Sequence, residues 1–518
     1  MDAFPILSIL TAIPLIGGFV LMAWRSATAE EARGAAITLS AIPLFLAVLL
    51  WQNFDPGTGD LQFVERHLWI PTLGIEYFVG IDGLSILMVL LCAIVVPMSI
   101  WASGLVRKNG SLHFGLVLLL QGGLFGTFTA LSFFHWFIFW ELSLLPAFFL
   151  IKFWGGPDRS RSATQFFIYT MVGSIGLLLA FMAMAMATGS FDFKVLAELG
   201  RSGELTAKLG ETVSVWGLSG GQVTMMVFLG VFLGFAVKVP LFPFHTWLPS
   251  AYAEATSPTT MLLTGLMSKM GVYGFLRILL PIFPAQMAVM STGLLWLAVL
   301  TIVASAFAAF AQRDLKRMFA YSSINHLGYC LLGIFAVGAG GGSGAAWGVE
   351  QAAALNGVLL QMFNHGLTAA ALFCFVRFLE DRSGGLRGLG DFGGLRRIAP
   401  VFCGLMGISV FASLGLPGLN GFAGEFLIFK GVFSLAGWAA MLSTVGLLVT
   451  AVFLLTLLQR VFHGPLNERW AVLPDLSFRE RLIVLPATVL MFLLGIYPQL
   501  AVGLVNQTVV EMVRQIQP

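Results

Sequence analysis

Charge is scarce in this sequence. Asp, Glu, Lys and Arg make up 10% of its 518 residues, where soluble domains carry roughly 25%. The shortage runs the whole length of the chain, which excludes an ordinary soluble fold and indicates a lipid-embedded one. A net charge of +3, with no long basic run, excludes a nucleic-acid partner. Cysteine is scarce too. Cys92, Cys330, Cys374 and Cys403 all lie in apolar stretches, outside any CxxC pair, and read as small buried hydrophobes. Zinc, haem and iron–sulfur spacings are absent, as are a Walker loop and a dinucleotide fingerprint. The expectation is therefore no cofactor and no metal on this chain, with any redox chemistry on others. The N-terminus lacks a basic n-region and reads as a first span rather than a cleaved signal.

Apolar residues are what the chain has in excess, at 58%. A spanning helix needs about 20 of them. About fourteen such stretches can be placed, at 4–24, 34–52, 80–104, 113–132, 134–153, 164–188, 222–247, 257–280, 287–311, 318–338, 350–378, 397–430, 436–462 and 480–503. The fold class is an all-α polytopic membrane protein, one membrane domain over 1–518. About two-thirds of the 28 basic residues follow odd-numbered spans. The positive-inside rule puts those loops in the cytoplasm and both termini on the far side. Two connections, 53–79 and 189–221, are long. The first alternates around Leu68 to Phe78, a pattern for a short hairpin.

Against this background a few ionisable residues stand inside spans: Glu141, Lys238, Lys269 and Glu425. Each costs roughly 2.5–3.5 kcal/mol near the bilayer centre on insertion scales. They are read as proton-translocating sites. The competing reading is inert ion pairs that tie helices together, but buried pairs are seldom a net gain in stability. His326 and His365 also lie in spans. Imidazole can take up and pass on a proton near neutral pH, so both are read as relays, against a plain packing role. His245 and Glu254 are open between a half-channel mouth and a helix cap. Asp82 reads as a helix cap.

Two spans are broken by their own residues. The seventh carries Pro240, Pro243 and Pro249; the twelfth carries Gly415, Pro417, Gly418, Gly421 and Gly424. Proline removes a helix hydrogen bond, and in lipid the freed groups must be met by neighbours or by a cavity. The breaks lie five spans apart. Spans 4–8 (residues 112–280) and 9–13 (residues 287–462) can thus form two inverted five-helix repeats, each with a broken helix. Residues 1–104 and 480–518 flank them. The correspondence is one of helix pattern.

The motifs in these segments resemble a known family. PLFPFHTWLPSAYAEA followed by LMSKMGVYG is similar to the signature of antiporter-like subunits of respiratory complex I and of Mrp-type cation/proton antiporters. FAQRDLKRMFAYSSINHLGY, MFNHGLTAAALF, FWELSLLP and GLNGFAGEF resemble its other blocks, over about residues 75–430. A glutamate at 425, where other branches have lysine, resembles the M-type (subunit-4 or D-type) branch. That likeness implies a subunit of NADH:quinone oxidoreductase in a bacterial inner membrane, beside L-type and N-type antiporter-like subunits. NAD, FMN, iron–sulfur clusters and quinone would sit on partner subunits. It implies Glu141 and Lys238 as the ion pair of the uptake half-channel, Lys269 as central carrier, Glu425 as terminal carrier, and His326 and His365 as bridges. Charge coupling would drive the transfer: separating Glu141 from Lys238 leaves an unsupported positive charge that disfavours a second one on Lys269. Tyr252 departs from the family's common histidine, and Ser268 from a common leucine. The alternatives are an Mrp-type sodium/proton antiporter subunit, a membrane-bound hydrogenase subunit, or a purely structural scaffold.

Overall fold

The structure is a computed structural model, and it describes residues 4–212, 217–340 and 345–516. In chain order the helices are α1 (Ile6–Ala23), α2 (Ala29–Asn53), α3 (Gly83–Ala102), α4 (Gly110–Thr129), α5 (Phe133–Trp154) and α6 (Arg159–Thr188). Two short helices follow, α7 (Phe193–Ser202) and α8 (Glu204–Thr212). Then come α9 (Gly220–Lys238), α10 (Trp247–Glu254), α11 (Ser257–Ile282), α12 (Pro284–Phe310), α13 (Leu315–Gly338) and α14 (Ala345–Ser383). The last are α15 (Pro400–Leu414), α16 (Asn420–Leu435), α17 (Gly437–Phe462), α18 (Phe478–Ile496) and α19 (Gln499–Ile516).

Among the described residues twelve helices are long and apolar enough to cross a membrane, or thirteen if the bent pair α18–α19 is one span. The other expected span, 397–430, is two half-helices, because Gly415 to Leu419 leaves the helical path between α15 and α16. The last expected span stops at Ile496, ahead of Pro498, and the chain bends by 68° into α19. The seventh stops at Lys238, before Pro240.

Side chains set the helix ends. Thr28 with Glu31, Ser219 with Gln222, and Ser477 with Glu480 form capping boxes at α2, α9 and α18, each satisfying orphan amides of a first turn. Residues Gln62–Ile70 (β1) and Ile75–Ile81 (β2) pair antiparallel, with His67 opposite Tyr77, which is the hairpin expected from the alternation. Its buried Glu65 reaches the start of α1, where it accepts from the Leu7 amide at 2.8 Å and from the Ser8 hydroxyl. The other long connection folds into α7 and α8.

Burial sorts the spans. The least apolar of them, α4, α11, α13 and α14, are also among the most buried, whereas α2, α6 and α17 bury fewer than half of their residues. Helices that face protein instead of lipid can carry polar residues whose groups are met by neighbours. The centre of this bundle is therefore where a polar pathway can exist.

Candidate functional site

Four central elements bring the polar groups together. Lys269 lies on α11 between two π-turn segments, Leu263–Met267 and Phe275–Leu279, a distortion often found at functional sites. Its side chain is fully buried. Nζ donates to the Thr264 carbonyl at 2.5 Å, lies 3.4 Å from Ser268 Oγ, and lies 2.8 Å from His365 Nδ1 on α14. All three partners are uncharged or readily so. The lysine–histidine contact serves whichever of the two holds the proton, because either nitrogen can donate to the other.

His326, on α13, packs its ring against His365 with centroids 5.1 Å apart. Its Nδ1 lies 2.9 Å from Glu425 Oε1 and its Nε2 lies 3.1 Å from Ser413 Oγ. Gln361, one turn before His365 on the same face of α14, donates to Glu425 Oε1 at 3.0 Å. A void of about 10 Å³ adjoins both histidines and Glu425, the space of about one water molecule. The extra proton can sit on Glu425 or on His326 with the same heavy-atom positions. A neutral carboxylic acid donates to Nδ1, whereas an imidazolium donates to the carboxylate and to Ser413.

The broken helix builds the Glu425 end. Ser413 closes α15 and Glu425 lies on α16, with the break between them. Gly415 sits at φ +81°, and a Cβ there would stand 2.9 Å from Glu425 Oε2. At Gly421 a Cβ would come within 1.9 Å of the Ala412 carbonyl, so only glycine lets the half-helices approach so closely. Asn364 donates to the Asn420 carbonyl at 2.6 Å, holding α14 against the first turn of α16.

Glu141 and Lys238, expected as an ion pair, are arranged differently. Lys238 is buried, and its ammonium lies 4.7 Å from the centre of the Trp140 ring. Glu141 is near enough to act on it electrostatically but outside the 4.0 Å of an ion pair, and Glu141 Oε1 is buried without a hydrogen-bond partner. Trp140 precedes Glu141 on α5 and takes the position facing the cation, where the ring face is attractive. His245 stacks on Phe242 with centroids 5.3 Å apart, and its Nδ1 lacks a partner. Glu254 accepts from the Asp158 amide at 2.9 Å and so pins the α5–α6 loop. Asp82 caps α3, as read from sequence, through Leu84 and Ser85 amides.

Sequence reading missed several polar members. Gln361, Asn364, Ser413 and Thr264 are uncharged and gave no signal by charge. Gln361 and Asn364 do lie four and one residues before His365, and the first spacing puts a residue on the same helix face. Arg277, near the end of the expected span 257–280, is largely buried on α11 against Asp82. Lys316, between the expected spans 287–311 and 318–338, is buried in the first turn of α13, donating to the Ala255 carbonyl.

Residues 130–451, which hold Glu141, both lysines, both histidines and Glu425, match the family described as NADH:quinone oxidoreductase/Mrp antiporter, TM. The chain belongs to this family. It is 35% identical over 514 residues to NADH-quinone oxidoreductase subunit M of Rhodobacter capsulatus, across 98% of this chain and 96% of that one. It is 33% identical over 523 residues to NAD(P)H-quinone oxidoreductase chain 4 2 of Thermosynechococcus vestitus, across 99% and 92%. Among solved structures, a chain of respiratory complex I from Thermus thermophilus with bound NADH matches with a TM-score of 0.83 at 27% identity, across 98% of this chain and 99% of that one. The resemblance to the M-type antiporter-like branch, read from motifs, agrees with these relatives.

Proposed function

We propose that this chain carries protons across the membrane as the M-type antiporter-like subunit of an NADH:quinone oxidoreductase. One observation carries the reading: the hydrogen-bonded contacts Lys269–His365 and His326–Glu425, joined by the tilted contact of the two imidazole rings. They form a row of titratable groups across the most buried helices. An inert set of charges would be paired acid to base, whereas Lys269 bonds only to neutral-capable groups.

In this mechanism Lys269 receives a proton from the Lys238 side and passes it to His365. The proton crosses to His326 by rotation of the rings or through the adjoining void, and reaches Glu425. Closing Glu141 onto Lys238 stabilises the ammonium, and opening the pair leaves a positive charge that repels one on Lys269. The groups titrate as a coupled set. The energy comes from quinone reduction on partner subunits, which hold the NAD, FMN and iron–sulfur sites. Broken helices at α9–α10 and α15–α16 support two inverted repeats, 112–280 and 287–462, within a single domain. The family's membership supports L-type and N-type neighbours in a bacterial inner membrane. The basic residues after odd-numbered spans support termini on the non-cytoplasmic side.

The deciding experiment is Lys269→Ala in the assembled complex, reconstituted in vesicles. Loss of proton pumping is expected, and full pumping at unchanged quinone turnover would overturn the central-carrier role. Glu141→Gln is expected to impair pumping per assembled complex far more than Asp82→Asn, because asparagine still caps the helix and its cost falls on assembly, through the Arg277 charge left unpaired. The Mrp-type reading predicts cation exchange by the isolated chain in vesicles, and it would gain if that were seen.

A further inference from the structure

The two departures from the family pattern meet in space. Tyr252 lies on α10 and Ser268 on α11, both buried, and the Tyr252 phenol faces the hydroxyls of Ser268 and Thr264. Tyr252, Ser268 and Lys238 line a void of about 10 Å³, again the space of about one water molecule. Its other walls are Trp247, Leu263 and Met267. The Trp247 N–H is already committed to the Val237 carbonyl at 3.0 Å, so the phenol, the serine hydroxyl and the ammonium are the polar groups this space serves. On its far side Ser268 Oγ is 3.4 Å from Lys269 Nζ, and both donate to the Thr264 carbonyl, at 2.9 and 2.5 Å. The void thus opens on Lys238 at one end, and its serine touches Lys269 at the other.

We propose that Tyr252 and Ser268 form a hydroxyl bridge that carries protons from Lys238 to Lys269. It rests on the carrier role given to Lys269 above. One proton leaves the Lys238 ammonium and one arrives on the neutral Lys269 amine. Between them each oxygen accepts a proton on a lone pair and releases its own, so as many O–H bonds form as break. Both hydroxyls end neutral, and no electrons move. The serine proton reaches Lys269 by turning away from the Thr264 carbonyl, a rotation open to any hydroxyl. An imidazole at position 252 could take up an extra proton and hold it as a cation, whereas a phenol oxygen is too weak a base to hold a second proton and stays neutral between transfers. The bridge therefore transmits a proton without storing one, unlike the histidine common in this family.

The test uses the assembled complex in proteoliposomes, with Tyr252→Phe, Ser268→Ala, the double variant, Tyr252→His and Lys269→Ala. Tyr252→Phe and Ser268→Ala are each expected to slow proton pumping by roughly a hundredfold. The double variant is expected to be no worse than either, because both act on one path, and Tyr252→His is expected to recover pumping. Normal pumping in both single variants, with none in Lys269→Ala, overturns the bridge and leaves the carrier role standing. Full pumping in Lys269→Ala removes the carrier role and the bridge together. A defect in Tyr252→Phe that tracks loss of assembled complex on native gels, or that adds to the Ser268→Ala defect, also overturns the bridge.

Discussion

Arg277 and Asp82 face each other through two parallel hydrogen bonds, Nη1 to Oδ2 at 2.7 Å and Nη2 to Oδ1 at 2.5 Å. The pair ties α11, the helix of Lys269, to the start of α3, and Tyr273 and Ser85 complete it with hydroxyls. Removing one partner leaves the other charge buried and uncompensated, at about 3–5 kcal/mol. Arg277→Met is therefore expected to deplete assembled complex in membranes. Arg277→Met with Asp82→Asn is expected to restore much of it, because asparagine keeps the cap without the charge. Native-gel yields of the two variants decide the matter.

Gly415 is expected to be intolerant of even one methyl group. Its left-handed backbone costs an alanine about 1–2 kcal/mol, and the new Cβ would meet Glu425 Oε2. Gly415→Ala should lower proton pumping several-fold by displacing the carboxylate from His326. Gly404→Ala, where a Cβ meets nothing within 4 Å, should pump normally. Proton-to-quinone ratios in vesicles compare them directly.

Gln361 donates to the same carboxylate oxygen that His326 contacts. Gln361→Leu should weaken pumping moderately, losing one hydrogen bond to a charged group, roughly 1.5–3 kcal/mol. Gln361→Glu should be worse, although it is closer in shape. It sets a second acid about 3 Å from Glu425, and two such acids resist ionising together. If the glutamate variant pumped better than the leucine one, the donor role of Gln361 would fail.

Much of the fold was legible because lipid imposes it. Long apolar runs marked the spans, Pro240 and Pro417 marked the breaks, and charge inside a span marked Lys238, Lys269 and Glu425. Partnership was not legible. The pairing of Arg277 could not be read because Asp82, which neutralises it, is 195 positions away. Glu141 and Lys238 looked like an ion pair, yet the aromatic neighbour Trp140 stands over the ammonium. Ser413 and Gln361 carry no charge to betray them, and only the folded arrangement shows that they contact His326 and Glu425.

The break between α15 and α16 divides the terminal site between two bodies. Ser413 and Gly415 travel with one half-helix, and Glu425 with the other. The same seam that lets the chain leave the helical path also makes the carboxylate a strain gauge. A neighbouring subunit leaning on α15 alone would move Ser413 and Gly415 against Glu425 and reshape the site without touching a titratable group.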